Sequence, residues 1–192
     1  ITDEYYMDLQ REYKFLAHKY QLKPLSGFLF KNLRVRPSAF PQVRIAQLAA
    51  LLVQSGRLFS SVIDIEDYKR LRLHFQSQVS KYWQTHYTFG HESKKQNKIM
   101  GDSSLDIILI NTVAPILFAY GKKRDQEKYC DRAMMILESI KPERNSITKD
   151  FEQAGIKIDN AYDSQAVIQL KKEYCDKRKC LYCKIGYQIM SK

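Results

Sequence analysis

Glycine and proline are scarce in this chain of 192 residues, which contains 7 glycines and 5 prolines. So few glycines leave little material for phosphate-binding loops, and no P-loop, G-x-G-x-x-G or G-x-S-x-G motif occurs. No flexible linker and no internal repeat interrupts the chain. The sequence therefore identifies no catalytic residue, and we expect this part of the protein not to be an enzyme.

Secretion signals and long apolar runs are also missing. The 4 cysteines do not suit the framework of a disulfide-rich secreted domain, and no signal peptide is visible. The most apolar window, 105–120, contains Asp106, Asn111 and Pro115, and it is shorter than the ~20 residues that cross a bilayer. We therefore expect a cytoplasmic protein with no membrane partner. Because the chain begins with Ile1, we also expect it to be a fragment of a longer protein.

Acidic residues are absent between Glu12 and Asp64, whereas basic residues recur throughout that segment. They are Lys14, Lys19, Lys23, Lys31, Arg34, Arg36, Arg44 and Arg57. The chain as a whole has a formal net charge of +11. Such a field attracts polyanions such as nucleic acid, and a basic surface that serves only solubility is the alternative.

Apolar residues are spaced by three and four along most of the chain, which is typical of amphipathic helices. The spacing predicts helices over 3–20, 41–56, 64–83, 103–120 and 123–140, a short helix between Asn145 or Ser146 and Gly155, and a last helix capped by Asp163. The expected fold is all-α, an irregular bundle of about seven helices with at most one short β-hairpin. At this length, residues 1–192 are expected to form a single helical domain.

Individual residues predict where these helices begin, bend and end. Thr2 is the expected N-cap of the first helix. Pro115 lacks a backbone donor, which predicts a kink near Asn111, and Gly121 is the expected end of that helix. Between the first two helices, residues 28–35 alternate in polarity, which favours a short strand or an extended arm.

Three arginines, Arg34, Arg36 and Arg44, surround two prolines at the predicted start of the second helix. Free N–H groups and the helix dipole add to the guanidinium charge there, which predicts an anion-binding site. Trp83 and Tyr87 are candidates for stacking on nucleic-acid bases. Nearby lysines would then contact phosphates: Lys81, Lys94, Lys95 and Lys98. The alternative is that the rings fill the core and the arginines pair with carboxylates of other helices.

Cysteines and histidines provide two further candidate sites. Cys175, Cys180 and Cys183 have the spacing C-x4-C-x2-C, and with Cys130 they are candidate ligands of a zinc ion or an iron–sulfur cluster. The alternatives are four structural thiols that pack as small apolar groups, and a redox pair. His86 and His91 with the following Glu92 form an H-x4-H-E run, which can bind a metal or act as acid and base. A simple loop is the alternative there.

Three segments, Arg34–Ala49, Ile110–Gly121 and Lys179–Gly186, are distinctive in combination. In this order and spacing they resemble the C-terminal portion of an uncharacterised bacterial family of unknown function, DUF2851. The resemblance extends from about Tyr13 to Gly186. It implies that relatives are longer, with additional sequence ahead of this part, and it implies no activity, substrate or cofactor.

The leading hypothesis is therefore a non-enzymatic helical module that binds a polyanion, with nucleic acid as the first candidate, through a basic face. One alternative is a Cys-ligated zinc or iron–sulfur domain with a structural or enzymatic purpose. A further alternative is an architectural domain that packs against the N-terminal part of the same longer protein, in which case an exposed apolar patch is expected.

Overall fold

A computed structural model describes residues 3–191. The chain is 66% helical, with about ten helices and one small two-stranded antiparallel sheet, which confirms the all-α class with one hairpin. Internal contacts divide it into two compact units, Ile1–Gly101 and Asp102–Lys192. That residues 1–192 form a single domain stays a prediction.

Within residues 3–101, the described part of the first unit, there are five α-helices and the sheet. They are α1 (Glu4–Tyr20), α2 (Pro41–Ser55), α3 (Leu58–Asp64), α4 (Tyr68–His74), α5 (Lys81–Thr85), β1 (His86–Thr88) and β2 (His91–Glu92). The predicted cap of α1, Thr2, lies outside the described residues. In the structure Asp3 is the N-cap, and its side chain accepts a hydrogen bond from the Tyr6 amide. None of the residues of α1 is buried.

Helix α2 provides the core of this unit. Pro41 occupies its first turn, where the missing N–H costs nothing, and Gly56 follows its end with a φ of 60°. One side of α2 packs with α5 and with Val79, which precedes α5, in an apolar cluster of Val43, Ala46, Val79 and Trp83. The buried Gln47 donates through Nε2 to the carbonyl of Lys98 at 2.8 Å, which attaches the segment after the sheet to α2.

The helix predicted over 64–83 is divided into α4 and α5. Its cap is Asp67 rather than Asp64, because the Asp67 carboxylate accepts from the Arg70 amide at 2.7 Å. Between the two helices, buried Ser77 donates to the carbonyl of Gln47 at 3.1 Å. The backbone around this tertiary hydrogen bond is not helical. The apolar spacing predicts a continuous helix here, and that prediction is wrong.

The hairpin lies where the sequence favoured a loop. Thr88 pairs with His91 and His86 with Glu92, and Gly90 turns the chain with a φ of 74°. Residues 28–35, where a strand was considered, instead contain a 3₁₀ turn, Gly27–Leu29, and a tight turn closed by a hydrogen bond from the Val35 amide to the Asn32 carbonyl.

The second unit is built around one long interrupted helix. Helices α6 (Asp102–Ile108) and α7 (Ala114–Arg124) are joined by a π-helical turn, Leu109–Val113. The wide turn accommodates Pro115, which has no N–H, and the predicted irregularity near Asn111 is therefore found. The Asn111 side chain donates to the carbonyl of Ile107 at 3.0 Å.

This interrupted helix, Asp102–Arg124, is long and apolar enough to cross a membrane, and α2 with α3 would be a second such element if the bent pair were one span. Length and composition alone also describe the core helix of a soluble protein. In the structure α7 packs along α8 (Glu127–Glu138), and Leu109, Val113 and Leu117 are buried.

Helix α7 continues past Gly121, which was the predicted end. A side-chain carbon at Gly121 would lie 2.8 Å from the sulfur of Cys130, so this glycine permits the close approach of α7 and α8. The helix ends instead at Arg124, and the following residue, Asp125, has a left-handed φ of 53°. The remaining helices are α9 (Ser146–Gln153), α10 (Ala161–Leu170) and α11 (Lys184–Met190).

Candidate polyanion-binding surface and neighbouring sites

We call residues 13–63, which contain no Asp or Glu, the basic segment. Its Arg34 is exposed and has a positive φ of 61° in the turn that the Asn32 carbonyl and Val35 amide close. A left-handed φ is uncommon for a residue with a side chain, and glycine is the usual choice in such a turn. The chain therefore tolerates some backbone strain to present an arginine here.

Arg36 and Arg44 lie on either side of the start of α2. Arg36 is exposed and precedes a 3₁₀ turn, Pro37–Ala39, that leads directly into the helix. Among the described residues, neither Arg34 nor Arg36 forms an ion pair with a carboxylate. Arg44 is half-buried, and its guanidinium donates to the Gln47 side chain at 3.0 Å. No side chain of the described residues caps the start of α2. Pro41 has no N–H, Val43 is fully buried, and the Arg44 amide donates to the Phe40 carbonyl, which leaves the half-buried Gln42 as the residue whose amide an anion could reach.

Exposed aromatic rings alternate with lysines in the same segment. Phe15 is 61% exposed, Tyr20 60% and Phe28 78%. The Lys19 ammonium lies 5.1 Å from the centre of the Tyr20 ring and 6.0 Å from that of Phe15. These rings are not among the candidate stacking residues predicted from the sequence. The sequence signal for them is the interleaving of aromatic and basic residues within the acid-free run.

The rings that the sequence did select occupy different environments. Trp83 is 5% exposed and lies in the apolar cluster, in contact with the rings of Tyr82 and Phe89. Tyr87 is half-buried, and the Lys98 ammonium lies 3.7 Å from its ring centre. The burial of Trp83 agrees with the alternative that the rings fill the core. Neither Trp83 nor Tyr87 therefore adds an exposed ring to the basic segment.

Lys98 is also internal, although a phosphate contact was considered for it. It is buried, and its ammonium donates to the carbonyl of His86 at 2.7 Å. Burial lowers the pKa of Lys98, since a charged ammonium is disfavoured away from water. Its position attaches residues 94–101 to the sheet.

The four cysteines do not come together. Cys130 is buried between α7 and α8, and its thiol lies 3.6 Å from the carbonyl of Phe118. Cys175, Cys180 and Cys183 instead line an apolar cavity of about 240 Å³ with the side chains of α9, α10 and α11. In residues 3–191, no three His, Cys, Asp or Glu side chains are grouped to hold a metal ion. The structure therefore gives the zinc and iron–sulfur hypothesis no support.

The start of α1 and the sheet enclose an open pocket of about 660 Å³, which we call the hairpin pocket. Its polar lining is Asp3, Glu4, Tyr82, His86, His91 and Glu92. The Tyr82 hydroxyl donates to the Asp3 carboxylate and accepts from the Gly90 amide at 3.2 Å. The Tyr82 ring lies between two parallel rings, with centres 4.2 Å away at Tyr5 and 3.9 Å away at His86.

Hydrogen bonding perturbs both partners of the Asp3–Tyr82 pair. The hydrogen bond from Tyr82 lowers the pKa of the Asp3 carboxyl, because it stabilises the charged form. Burial, followed by the hydrogen bond to Asp3, raises the pKa of Tyr82 to about 12. At neutral pH the pair is therefore a carboxylate and a neutral phenol.

Sequence comparison places the chain in a family. The profile of the protein family of unknown function DUF2851 matches residues 1–146. The chain belongs to this family. The match includes the segments Arg34–Ala49 and Ile110–Gly121, whereas Lys179–Gly186 lies beyond it. No curated protein and no solved structure matches the chain. Family membership therefore brings no activity, and function has to be argued from the surfaces described above.

Proposed function

We propose that this domain is a non-enzymatic module that binds a polyanion, and specifically a single-stranded nucleic acid, through the basic segment. The observation that carries the proposal is the pair Arg34 and Arg36, which are exposed and without a carboxylate partner in the described structure, beside the uncapped start of α2. Guanidinium groups and the positive end of a helix dipole are complementary to phosphate oxygens.

The charge of the whole basic segment supports the same proposal. Between residues 13 and 63 no carboxylate of the segment opposes its lysines and arginines. Each phosphate neutralised by such a side chain releases counterions, which makes binding favourable at low salt and weaker as salt rises. A polyanion with several phosphates gains from several of these contacts at once.

The exposed rings favour a single strand over a duplex. Phe15, Tyr20 and Phe28 lie close in sequence to Lys14, Lys19 and Lys23, so unpaired bases have apolar faces beside phosphate-binding ammonium groups. Stacking of this kind is tolerant of sequence and contributes about 1–3 kcal/mol for each base. We therefore expect little sequence preference.

Fluorescence anisotropy with a labelled single-stranded oligonucleotide and the matching duplex tests the proposal. The variant Arg34→Gln with Arg36→Gln is expected to weaken binding of both, because two phosphate contacts are lost. Phe28→Ala is expected to weaken the single strand about tenfold and the duplex much less. Equal binding by wild type and the double arginine variant would contradict the proposal.

A matched control is available in the second unit. Lys149 and Lys172 are both exposed, so replacing them with glutamine removes the same net charge from residues outside the basic segment. Nucleic-acid affinity is expected to change little in this variant. A loss as large as that of the arginine variant would indicate a nonspecific effect of net charge.

A second candidate function is architectural packing against the N-terminal part of a longer family protein. It is supported by apolar side chains that the first unit exposes. On α2, Ile45, Leu48 and Leu52 are each at least half exposed, on the side away from the buried Val43. Hydrogen exchange of α2 in the longer protein, compared with this chain, tests it. Additional protection of Ile45–Leu52 would support packing, and identical exchange would contradict it.

A further inference from the structure

We infer that the hairpin pocket is a binding site for an organic ammonium ion. It is separate in position and opposite in charge from the polyanion-binding surface. The inference is based on a buried histidine with one unpartnered ring nitrogen, on three carboxylates around it, and on the volume of the pocket.

One ring nitrogen of His86 has no hydrogen-bond partner among the described residues. The other, Nδ1, lies 3.0 Å from the carbonyl oxygen of Tyr82. Nδ1 also lies 3.0 Å from the Thr85 hydroxyl, whose own hydrogen is donated to the same Tyr82 carbonyl. Since both neighbours then accept, Nδ1 carries the hydrogen in the neutral ring and Nε2 carries a lone pair. His86 is 8% exposed, lines the hairpin pocket, and has no partner for Nε2 among the described residues. A ligand N–H is the complement of that lone pair.

The pocket is acidic, although the chain as a whole has a net charge of +11. Among the described residues that line it, Asp3, Glu4 and Glu92 are acidic and none is a lysine or an arginine. The start of α1 contributes only about half a positive charge, which three carboxylates outweigh. Glu4 and Glu92 form no ion pair with another described residue. A cation therefore gains from entering the pocket, whereas an anion is repelled.

His91 is a second histidine in the pocket whose ring can accept a hydrogen bond through Nε2. The Nδ1 atom of His91 lies 3.1 Å from the carbonyl oxygen of Phe89, so its Nε2 is also the acceptor nitrogen of the neutral ring. His91 is exposed at the edge of the pocket. Two imidazole acceptors and carboxylate oxygens match the several N–H donors of a primary ammonium group, which can bond to more than one of them.

The lining distinguishes an organic cation from a metal ion. No three potential ligands in residues 3–191 are grouped as a metal ion requires. The pocket also has ring surface from Tyr5 and Tyr82, and its volume of about 660 Å³ is far larger than a single ion. Such surface packs against the carbon part of a ligand, and small-molecule pockets in proteins are commonly of this size.

Calorimetric titration of the 192-residue chain with butylammonium, and separately with 1-butanol of similar shape, tests the inference. Binding of butylammonium without binding of 1-butanol is expected. Glu92→Gln is expected to weaken butylammonium about tenfold, as for the loss of one charged hydrogen bond. The matched control is Glu66→Gln, since Glu66 is an exposed acidic residue of the same unit outside the pocket, and its affinity is expected to equal that of wild type.

Nitrogen NMR of the histidine rings gives a readout that does not depend on a variant. In the free protein His86 is expected to be the tautomer with the proton on Nδ1, and butylammonium is expected to shift its Nε2 resonance. Equal binding of 1-butanol, equal weakening by Glu66→Gln, an unmoved Nε2 resonance, or binding of Zn²⁺ without butylammonium would each overturn the inference. Loss of nucleic-acid binding would leave it unaffected.

Discussion

Tyr82 donates its hydroxyl hydrogen to the carboxylate of Asp3, which lies 79 residues earlier in the chain. The same carboxylate caps the start of α1 by accepting from the Tyr6 amide. One side chain therefore both begins the first helix and attaches it to α5 and the hairpin. Since no residue of α1 is buried, this polar attachment, with the stacking of Tyr5 on Tyr82, positions the helix.

The Asp3–Tyr82 pair predicts a specific pH dependence. Tyr82 has its pKa raised to about 12, so its contribution to stability is complete below pH 10 and is lost as the pH rises from about 10 to 12. Asp3 has its pKa lowered, so its contribution is lost as the pH falls below its ordinary value of 3.8. Tyr82→Phe is expected to reduce the free energy of unfolding at pH 7 by about 1 kcal/mol.

Ultraviolet titration and urea unfolding measure these effects. The spectrum of wild type minus that of Tyr82→Phe is expected to show one tyrosine that ionises near pH 12. Tyr68→Phe is the control, because Tyr68 is half-buried in the same unit and its hydroxyl accepts from the Arg72 guanidinium at 3.2 Å. Ionisation of Tyr82 near pH 10 would contradict the assigned hydrogen bond.

The backbone at Arg34 allows charge and fold to be separated. Because its φ of 61° is a conformation that glycine adopts freely, Arg34→Gly is expected to leave the free energy of unfolding unchanged or to raise it slightly. The same change is expected to weaken nucleic-acid binding, since it removes one phosphate contact. Thermal unfolding and anisotropy check the two effects. A destabilised variant would mean that the guanidinium has a structural role.

Gly121 predicts a packing defect. In Gly121→Ala, the new carbon would lie 2.8 Å from the Cys130 sulfur and 3.0 Å from backbone atoms of Gln126 and Cys130. Overpacking of this kind costs about 1–3 kcal/mol, which urea unfolding measures. Gly27→Ala is the control, because no atom lies within 4 Å of the added carbon. Adding Cys130→Ala to Gly121→Ala removes the clash with the sulfur and is expected to restore part of the lost free energy of unfolding. The rescue is expected to be incomplete, because the close contacts with backbone atoms of Gln126 and Cys130 remain.

Thiol reactivity distinguishes the environments of the four cysteines. Cys175 and Cys180 are exposed, Cys183 is half-buried and Cys130 is 2% exposed. We expect two fast reactions with Ellman's reagent, one slower reaction, and one that requires unfolding. Protection of Cys175, Cys180 and Cys183 together, relieved by a chelator, would instead indicate a bound metal.

Local sequence signals predicted much of the fold. Pro41 with Gly56 bounded α2, and the missing donor of Pro115 marked the irregular turn, because these signals depend on neighbouring backbone atoms. Long-range contacts were not visible in the same way. The break between α4 and α5 is bridged by the hydrogen bond from Ser77 to the carbonyl of Gln47, and Gly121 serves the approach of Cys130 rather than a helix end.

The candidate sites also divide into features that local sequence predicts and features that depend on long-range contacts. The exposure of Arg34 and Arg36 agrees with the missing acidic neighbours in sequence. The burial of Trp83 and Lys98 depends on contacts with α2 and the sheet, so composition did not distinguish them from surface residues. The hairpin pocket joins Asp3 to Tyr82 and Gly90, and spacing along the chain contains no sign of that contact.

The dependence of nucleic-acid affinity on salt tests the central claim most directly. For wild type, the logarithm of the association constant is expected to fall linearly with the logarithm of the salt concentration. For a single strand, Arg34→Gln with Arg36→Gln is expected to make this slope shallower by about 1.4, while Lys149→Gln with Lys172→Gln leaves it unchanged. A wild-type affinity that does not respond to salt, or an equal slope in all three proteins, would contradict the account.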